Sequence, residues 1–217
     1  MNNVLFSRER DNQIVNLISE GTLFSRSQIE RIFFPNYKSA KRKAQERLCK
    51  LVQDKRIKRY QKDYAMPSLY YIDKKPINTE HYLLINEVFV SFLIQKKPWQ
   101  IIEWKWSYSI FDGLVISDSY INVWLEPDKR RRVVIFLEVE KNTKKRFDKD
   151  FQYEKVFERS WNKDLPEWVV TENNKAIFPT ILIVTDYPPE INSKSGIRFI
   201  IASPQQIKED VYKLIWR

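Results

Sequence analysis

Three carboxylates stand near the ends of apolar runs. Glu138 and Glu140 close the run Val133-Val134-Ile135-Phe136-Leu137, and Asp112 precedes Gly113 inside the short apolar stretch Ile110–Ile116. Side chains two apart in an extended strand share a face, so Glu138 and Glu140 point together while Val139 points away. Acids that converge at strand ends offer hard oxygen ligands to a divalent ion such as Mg²⁺. An ion held there activates water and stabilises a phosphodiester transition state. The candidate metal ligands are therefore Asp112, Glu138 and Glu140. The plain alternative is that Glu138 and Glu140 close a strand and pair with nearby lysines.

The elements that must position these residues follow from periodicity. Residues 80–95 read as a helix with Leu83, Leu84, Val88, Phe92 and Phe89 on its apolar side. Strands are expected at 99–106, 110–116, 121–125 and 133–140. A charged helix follows over 147–161, then strands at 180–185 and 198–202 and a helix over 204–215. Helices alternating with strands in this order predict a mixed α/β sheet with helices on its faces. Trp104 and Trp106 alternate with Glu103 and Lys105, which suits a half-buried strand better than a base-stacking platform.

The first 75 residues have a different character. They carry 17 Lys and Arg against 8 Asp and Glu, a net of +9, whereas the remainder is close to neutral at +1. That break predicts two domains, 1–76 and 77–217, divided at Pro76. A first helix spans Glu9–Ser19, and a second starts near Ser25-Arg26-Ser27 with Ile29, Ile32 and Phe33 on one face. A third runs from a Ser39 cap to about Gln53. Its apolar positions Ala40, Ala44, Leu48, Leu51 and Val52 form one stripe; Lys41, Arg42, Lys43, Gln45, Arg47 and Lys50 occupy the opposite face. Two β-prone segments, 55–60 and 69–72, follow, with Pro67-Ser68 turning between them. Three helices and a two-stranded hairpin form a winged helix-turn-helix. The third helix would enter the major groove of double-stranded DNA, with Ser39 at its head, and Lys58, Arg59 and Lys62 of the wing would approach phosphates.

Several classes are excluded. Three glycines leave no room for a Gly-rich phosphate loop, and one cysteine, Cys49, supports neither an internal disulfide nor a cysteine zinc site. The lone histidine, His81, rules out a multi-histidine centre and is expected to be structural. No apolar run is long enough for a membrane span, and the N-terminus lacks the layout of a signal peptide. A cytoplasmic protein without a membrane partner is expected.

The strand–strand–helix order around Glu138 resembles the nuclease core known by its PD-(D/E)xK motif, found in restriction enzymes and resolvases. Glu140 stands where that motif has lysine, and the adjacent Lys141 lies on the wrong side of an extended strand. The resemblance then implies a lysine on the following helix, with Lys155 the first candidate and Lys144, Lys145 and Lys149 behind it, and an upstream acid, for which Glu103 is the candidate. Across most of its length the chain also resembles the replication-relaxation family of plasmids and other mobile elements. That resemblance is carried by Arg10…Ile14-Val15…Leu17, Gly21-Thr22-Leu23-Phe24, Gln28-Ile29 and Ala44…Leu48-Cys49-Lys50-Leu51. It continues through Leu69-Tyr70-Tyr71-Ile72, His81–Val88, Trp99…Glu103, Phe111-Asp112, Phe136–Thr143, Lys155 and Phe178-Pro179…Val184-Thr185. The family has Pro-Asp in place of Phe111-Asp112 and often Asp in place of Glu140. The resemblance implies a winged helix joined to a restriction-endonuclease-like α/β domain. It also implies an accessory role in plasmid replication or DNA relaxation, alongside replication or relaxosome proteins. Alternatives are a metal-dependent nuclease or nickase with Mg²⁺, and a transcriptional regulator whose second domain dimerises as a homodimer or senses a ligand.

Overall fold

The computed structural model describes residues 2–124, 132–141, 146–160, 170–172, 175–193 and 196–216. The chain is of mixed α and β class and divides into two compact units, Met1–Ile94 and Gln95–Arg217. No helix among the described residues is long and apolar enough to cross a membrane.

In the first unit, α1 (Asn2–Gly21) buries Ile14 and Ile18 on one stripe. A two-residue strand β1 (Phe24–Ser25) leads into α2 (Arg26–Phe33). Ser25 caps α2 through a capping box: its hydroxyl accepts from the Gln28 N–H at 3.3 Å, and the Gln28 side chain accepts from the Ser25 N–H at 3.0 Å. α3 (Ala40–Gln53) buries Ala44, Leu48 and Leu51, the helical spacing expected. β2 (Lys58–Tyr60) and β3 (Leu69–Tyr71) pair antiparallel, and β1 adds to β3, giving the order β1-β3-β2. The three-stranded sheet goes beyond the expected two-stranded hairpin by the short β1, too brief to show a pattern of its own.

α4 (Thr79–Gln95) almost wholly belongs to this unit, so the division falls at Ile94/Gln95 rather than at Pro76. Its buried polar side chain explains why. Asn86 donates to the carbonyls of Gly21 at 2.8 Å and Leu23 at 2.5 Å, and Gln28 donates to Leu83 O at 2.9 Å. Arg31 pairs with Glu87. A Cβ on Gly21 would lie 2.5 Å from the Phe24 ring, so only glycine permits this approach. Leu83 and Leu84 are half-buried; Ile85, Asn86, Val90 and Ser91 join Val88 and Phe92 inside. His81 sits in the first turn, its backbone N–H donated to the Asn78 side chain.

The second unit is built on a five-stranded sheet of order β10-β9-β6-β5-β4. Its strands are β4 (Ile101–Ile110), β5 (Val115–Trp124), β6 (Arg132–Val139), β9 (Thr180–Val184) and β10 (Phe199–Ala202). β4, β5 and β6 run antiparallel, while β9 is parallel to both β6 and β10. α5 (Asp150–Ser160) lies between β6 and β9 in sequence, since parallel neighbours need a crossover. β7 (Val170–Glu172) and β8 (Lys175–Ile177) form a hairpin absent from the expected element list, and α6 (Pro204–Ile215) ends the chain. Phe136, Tyr120, Val134, Tyr153, Val156 and Phe178 pack in one core between the sheet and α5.

One expected strand is a turn. Residues 111–114 connect β4 to β5, with φ of 46° at Phe111, 55° at Asp112 and 92° at Gly113. A run of left-handed residues cannot continue a strand. The Asp-Gly pair between alternating apolar residues was a hairpin signal.

Candidate nucleic-acid interface and strand-end acid cluster

Between α3 and the β2–β3 hairpin lies an open groove of about 950 Å³. One wall carries Ser39, Lys41, Arg42, Gln45 and Cys49 of the α3 segment; the other carries Arg59, Gln61 and residues 64–68 of the wing, and Arg26 also lines it. Lys41 and Arg42 are exposed, and Arg42 makes an i,i+4 contact with Glu46 at 3.4 Å. Ser39 occupies the cap position of α3 without a side-chain capping bond, so its hydroxyl is left to the groove. Gln45 donates to Cys49 Sγ at 3.2 Å. Arg59 is oriented by Ser68 Oγ at 3.0 Å and by Gln61.

The remaining predicted DNA contacts are elsewhere. Arg47 forks onto the buried carboxylate of Asp11 in α1, so it holds two helices together instead of facing outward. Lys43 lies 4.0 Å over the Tyr37 ring, on that same side of α3. On a helix each residue turns by about 100°, and Lys43 and Arg47 are one turn apart; they share a face that Lys41 and Gln45 do not. Lys50 is exposed beyond the groove. Lys58 donates to Asp73 O at 2.6 Å, and Lys62 is exposed on the wing.

In the second unit, register decides which acids meet. β5 and β6 pair Ser119 with Leu137, which sets Asp118 opposite Glu138. The β4–β5 ladder skips Ser107, whose φ is 54°, at the position facing Asp118. Asp118 turns its carboxylate onto the Val139 N–H at 2.7 Å. Glu138 is buried, and both its oxygens are engaged: Lys149 Nζ donates to Oε2 at 2.6 Å and the Tyr153 hydroxyl to Oε1 at 2.6 Å. Lys149 also donates to Ile116 O at 2.9 Å, tying β5 to β6. Burial pushes the Glu138 carboxyl up to about 7; Lys149 pulls it down and Asp118 raises it. The Tyr153 hydroxyl is raised well above its ordinary value by burial and by the Glu138 carboxylate.

The predicted trio is therefore not assembled. Asp112 is exposed in the β4–β5 turn, at least about 10 Å of strand away from the level of Glu138. Glu140 follows β6, with its N–H bonded to Val184 O at 3.0 Å. Glu103 lies on β4, where it accepts from Asn122 at 3.2 Å and Lys105 at 3.0 Å. Burial raises its carboxyl, but those two donors outweigh it and hold the group below its ordinary value. Lys155 is exposed, 4.5 Å over the Phe151 ring. It is two residues, about 200° of helix, from Tyr153, so it faces away from Glu138. Lys149, one of the candidates placed behind Lys155, is the lysine that reaches Glu138; Lys144 and Lys145 lie outside the described residues. Sequence reasoning missed Asp118 and Tyr153. The signal for Asp118 was the polar Ser117-Asp118-Ser119 inside an otherwise apolar strand. Tyr153 carried its signal as the position one turn after Lys149.

The fit to a divalent ion can be tested on these atoms. Among the described residues no three of His, Cys, Asp or Glu gather as a ligand set. Glu138 has both oxygens taken, and Lys149 places a cation where a metal would have to sit. This arrangement does not fit Mg²⁺, and no chemical step is derived through one.

Comparison with family models, with curated proteins and with solved structures returns no match.

Proposed function

We propose that this chain is a DNA-binding accessory protein of plasmid or mobile-element replication or DNA relaxation, gripping duplex DNA through the first unit. The observation that carries this is the groove between α3 and the wing, lined by Lys41, Arg42, Arg59 and Arg26. A helix that offers exposed cations beside a basic hairpin suits a major groove flanked by phosphates. The charge supports it, since nearly all of the net +10 resides in the first 75 residues. The replication and relaxation context rests on the family resemblance.

The test is a gel-shift titration with duplex fragments at several salt concentrations. Binding should weaken linearly in log–log form as salt rises, because each neutralised phosphate releases counterions. Absence of binding at low salt, or binding indifferent to salt, overturns the reading.

A second reading is metal-dependent cleavage by the second unit. It is favoured by the meeting of Asp118 and Glu138 on two strands with Lys149 in the turn before α5, the residue types that the resembled nuclease core uses. In this chain those groups bind one another, and we hold that the unit keeps a nuclease-like arrangement without cleavage. Nicking of supercoiled plasmid in Mg²⁺ or Mn²⁺ that disappears in E138A would reverse that view.

A further inference from the structure

The wing tip presents apolar side chains on a fixed backbone. Tyr64 is 100% exposed and Met66 53%. Isolated exposed apolar groups are ordinary on protein surfaces, but here the loop beneath them is held by a set of hydrogen bonds. Gln61 Nε2 donates to Met66 O at 3.1 Å and to Tyr64 O at 3.4 Å. Asp63 accepts from the Ala65 N–H through its side chain at 3.2 Å and from the Met66 N–H through its carbonyl at 3.1 Å. Gln61 is itself positioned by Arg59 and by Ser68, whose hydroxyl donates to Gln61 Oε1 at 3.1 Å. The backbone is thus arranged before any partner arrives, which reduces the ordering cost of binding. Tyr64 and Met66 also line the same groove as Lys41, Arg42 and Arg59.

A loop made only for phosphate contact would need cations and small polar residues at its tip. This one has cations at its base, Arg59 and Lys62, and Tyr64, Ala65 and Met66 at its apex. We infer that Tyr64, backed by Met66, is a minor-groove wedge. With α3 in the major groove, the wing reaches the adjacent minor groove, Arg59 and Lys62 meet its phosphates, and the Tyr64 ring enters between base pairs and bends the duplex. Apolar wedges that partly unstack a base step and kink DNA act in this way, and they favour flexible pyrimidine–purine steps such as TA. Tyr64 is then a specificity-determining residue that works through deformability, distinct from any side chain of α3 that reads base edges. The inference rests on the proposed DNA binding.

The experiment compares wild type, Y64A, Y64F, M66A and R42A in the full chain. Tyr64 makes no contact through its side chain that folding depends on, so Y64A should melt as wild type does. Affinity is measured on duplexes with central TA steps and on G·C-only duplexes over a range of salt. Bending is read from ligase-catalysed ring closure of fragments shorter than the ~150-base-pair persistence length. Y64A should lose about tenfold in affinity for the TA duplex, the order expected for one stacking aromatic. It should also lose the acceleration of ring closure and the TA preference, with the slope against log salt unchanged. M66A should show a smaller loss of the same kind, and Y64F should behave as wild type. R42A should do the reverse, lowering the salt slope by about one while keeping the bend. If Y64A binds and closes rings as wild type does, the wedge is overturned and DNA binding stands. If wild type binds no duplex, the DNA reading and the wedge fall together.

Discussion

The two units use their cations in opposite ways. Along the groove of the first, Lys41 and Arg42 are exposed to water. In the second, Lys149 is fastened between Glu138 and Ile116 O, against a carboxylate that is 1% exposed. A hydrated surface cation contributes little to folding, and its field remains available to a phosphate. A cation on a buried carboxylate compensates that charge inside the fold and has little left to offer a ligand. A lysine near an acid is thus no sign of catalysis until burial and remaining valence are known.

The contrast breaks most readily at Lys149. K149A should destabilise the second unit by about 3 kcal/mol at about pH 9, where Glu138 is otherwise an ionised buried carboxylate held by Lys149. K41A and R42A should each change stability by less than about 0.5 kcal/mol. Urea unfolding of the three variants measures the difference, and equal effects would end the distinction.

The pH dependence sharpens it. Glu138 has its carboxyl raised from 4.5 to about 7, so between those values the folded state holds a proton that the unfolded state releases. Its contribution to stability is fully present below about pH 4.5 and is lost as pH rises through 7. The full loss is about 3 kcal/mol, at 1.36 kcal/mol for each unit. E138Q should abolish that slope, and K149A should extend it to higher pH, since Lys149 is what lowers the group. Unfolding followed from pH 4 to pH 9 would show both.

Within the first unit, Arg47 should behave like Lys149 and unlike its helix neighbours. R47A should cost about 2 kcal/mol through the loss of the Asp11 pair, while leaving DNA affinity and salt slope unchanged at temperatures where the protein remains folded. A loss of salt slope in R47A would place Arg47 on the binding face after all. The smallest effect is expected at Asp112. D112G should be neutral or stabilising by up to about 1 kcal/mol, because glycine adopts the φ of 55° without a Cβ penalty. A marked fall in stability would show that the turn carboxylate holds the β4–β5 hairpin.

The helices of the first unit were legible because their signals are local. Ala44, Leu48 and Leu51 repeat with helical spacing, Ser25 and Gln28 stand at capping-box distance, and Pro35-Asn36 breaks the chain between α2 and α3. The boundary at Pro76 was not legible in the same way. It followed the charge, whereas the fold followed Asn86, which reaches residues some sixty positions earlier to satisfy the carbonyls of Gly21 and Leu23. In the second unit β6 and β9 were legible as apolar runs. The β4–β5 hairpin was misread because Ile110–Ile116 is apolar enough to pass for a strand when Asp112-Gly113 is not weighed as a turn.

The sequence by itself determined the helix stripe of α3, the asymmetry of charge, the mixed sheet with its α5 crossover, and the presence of acids around Glu138. Each of these depends on residues close together along the chain. Only the tertiary structure decided which groups meet. It set Asp118, not Asp112, opposite Glu138, chose Lys149 over Lys155, and turned Arg47 inward while leaving Arg42 outside. Those choices depend on strand register and helix rotation, where a shift of one residue moves a side chain to the other face, and no local pattern fixes them.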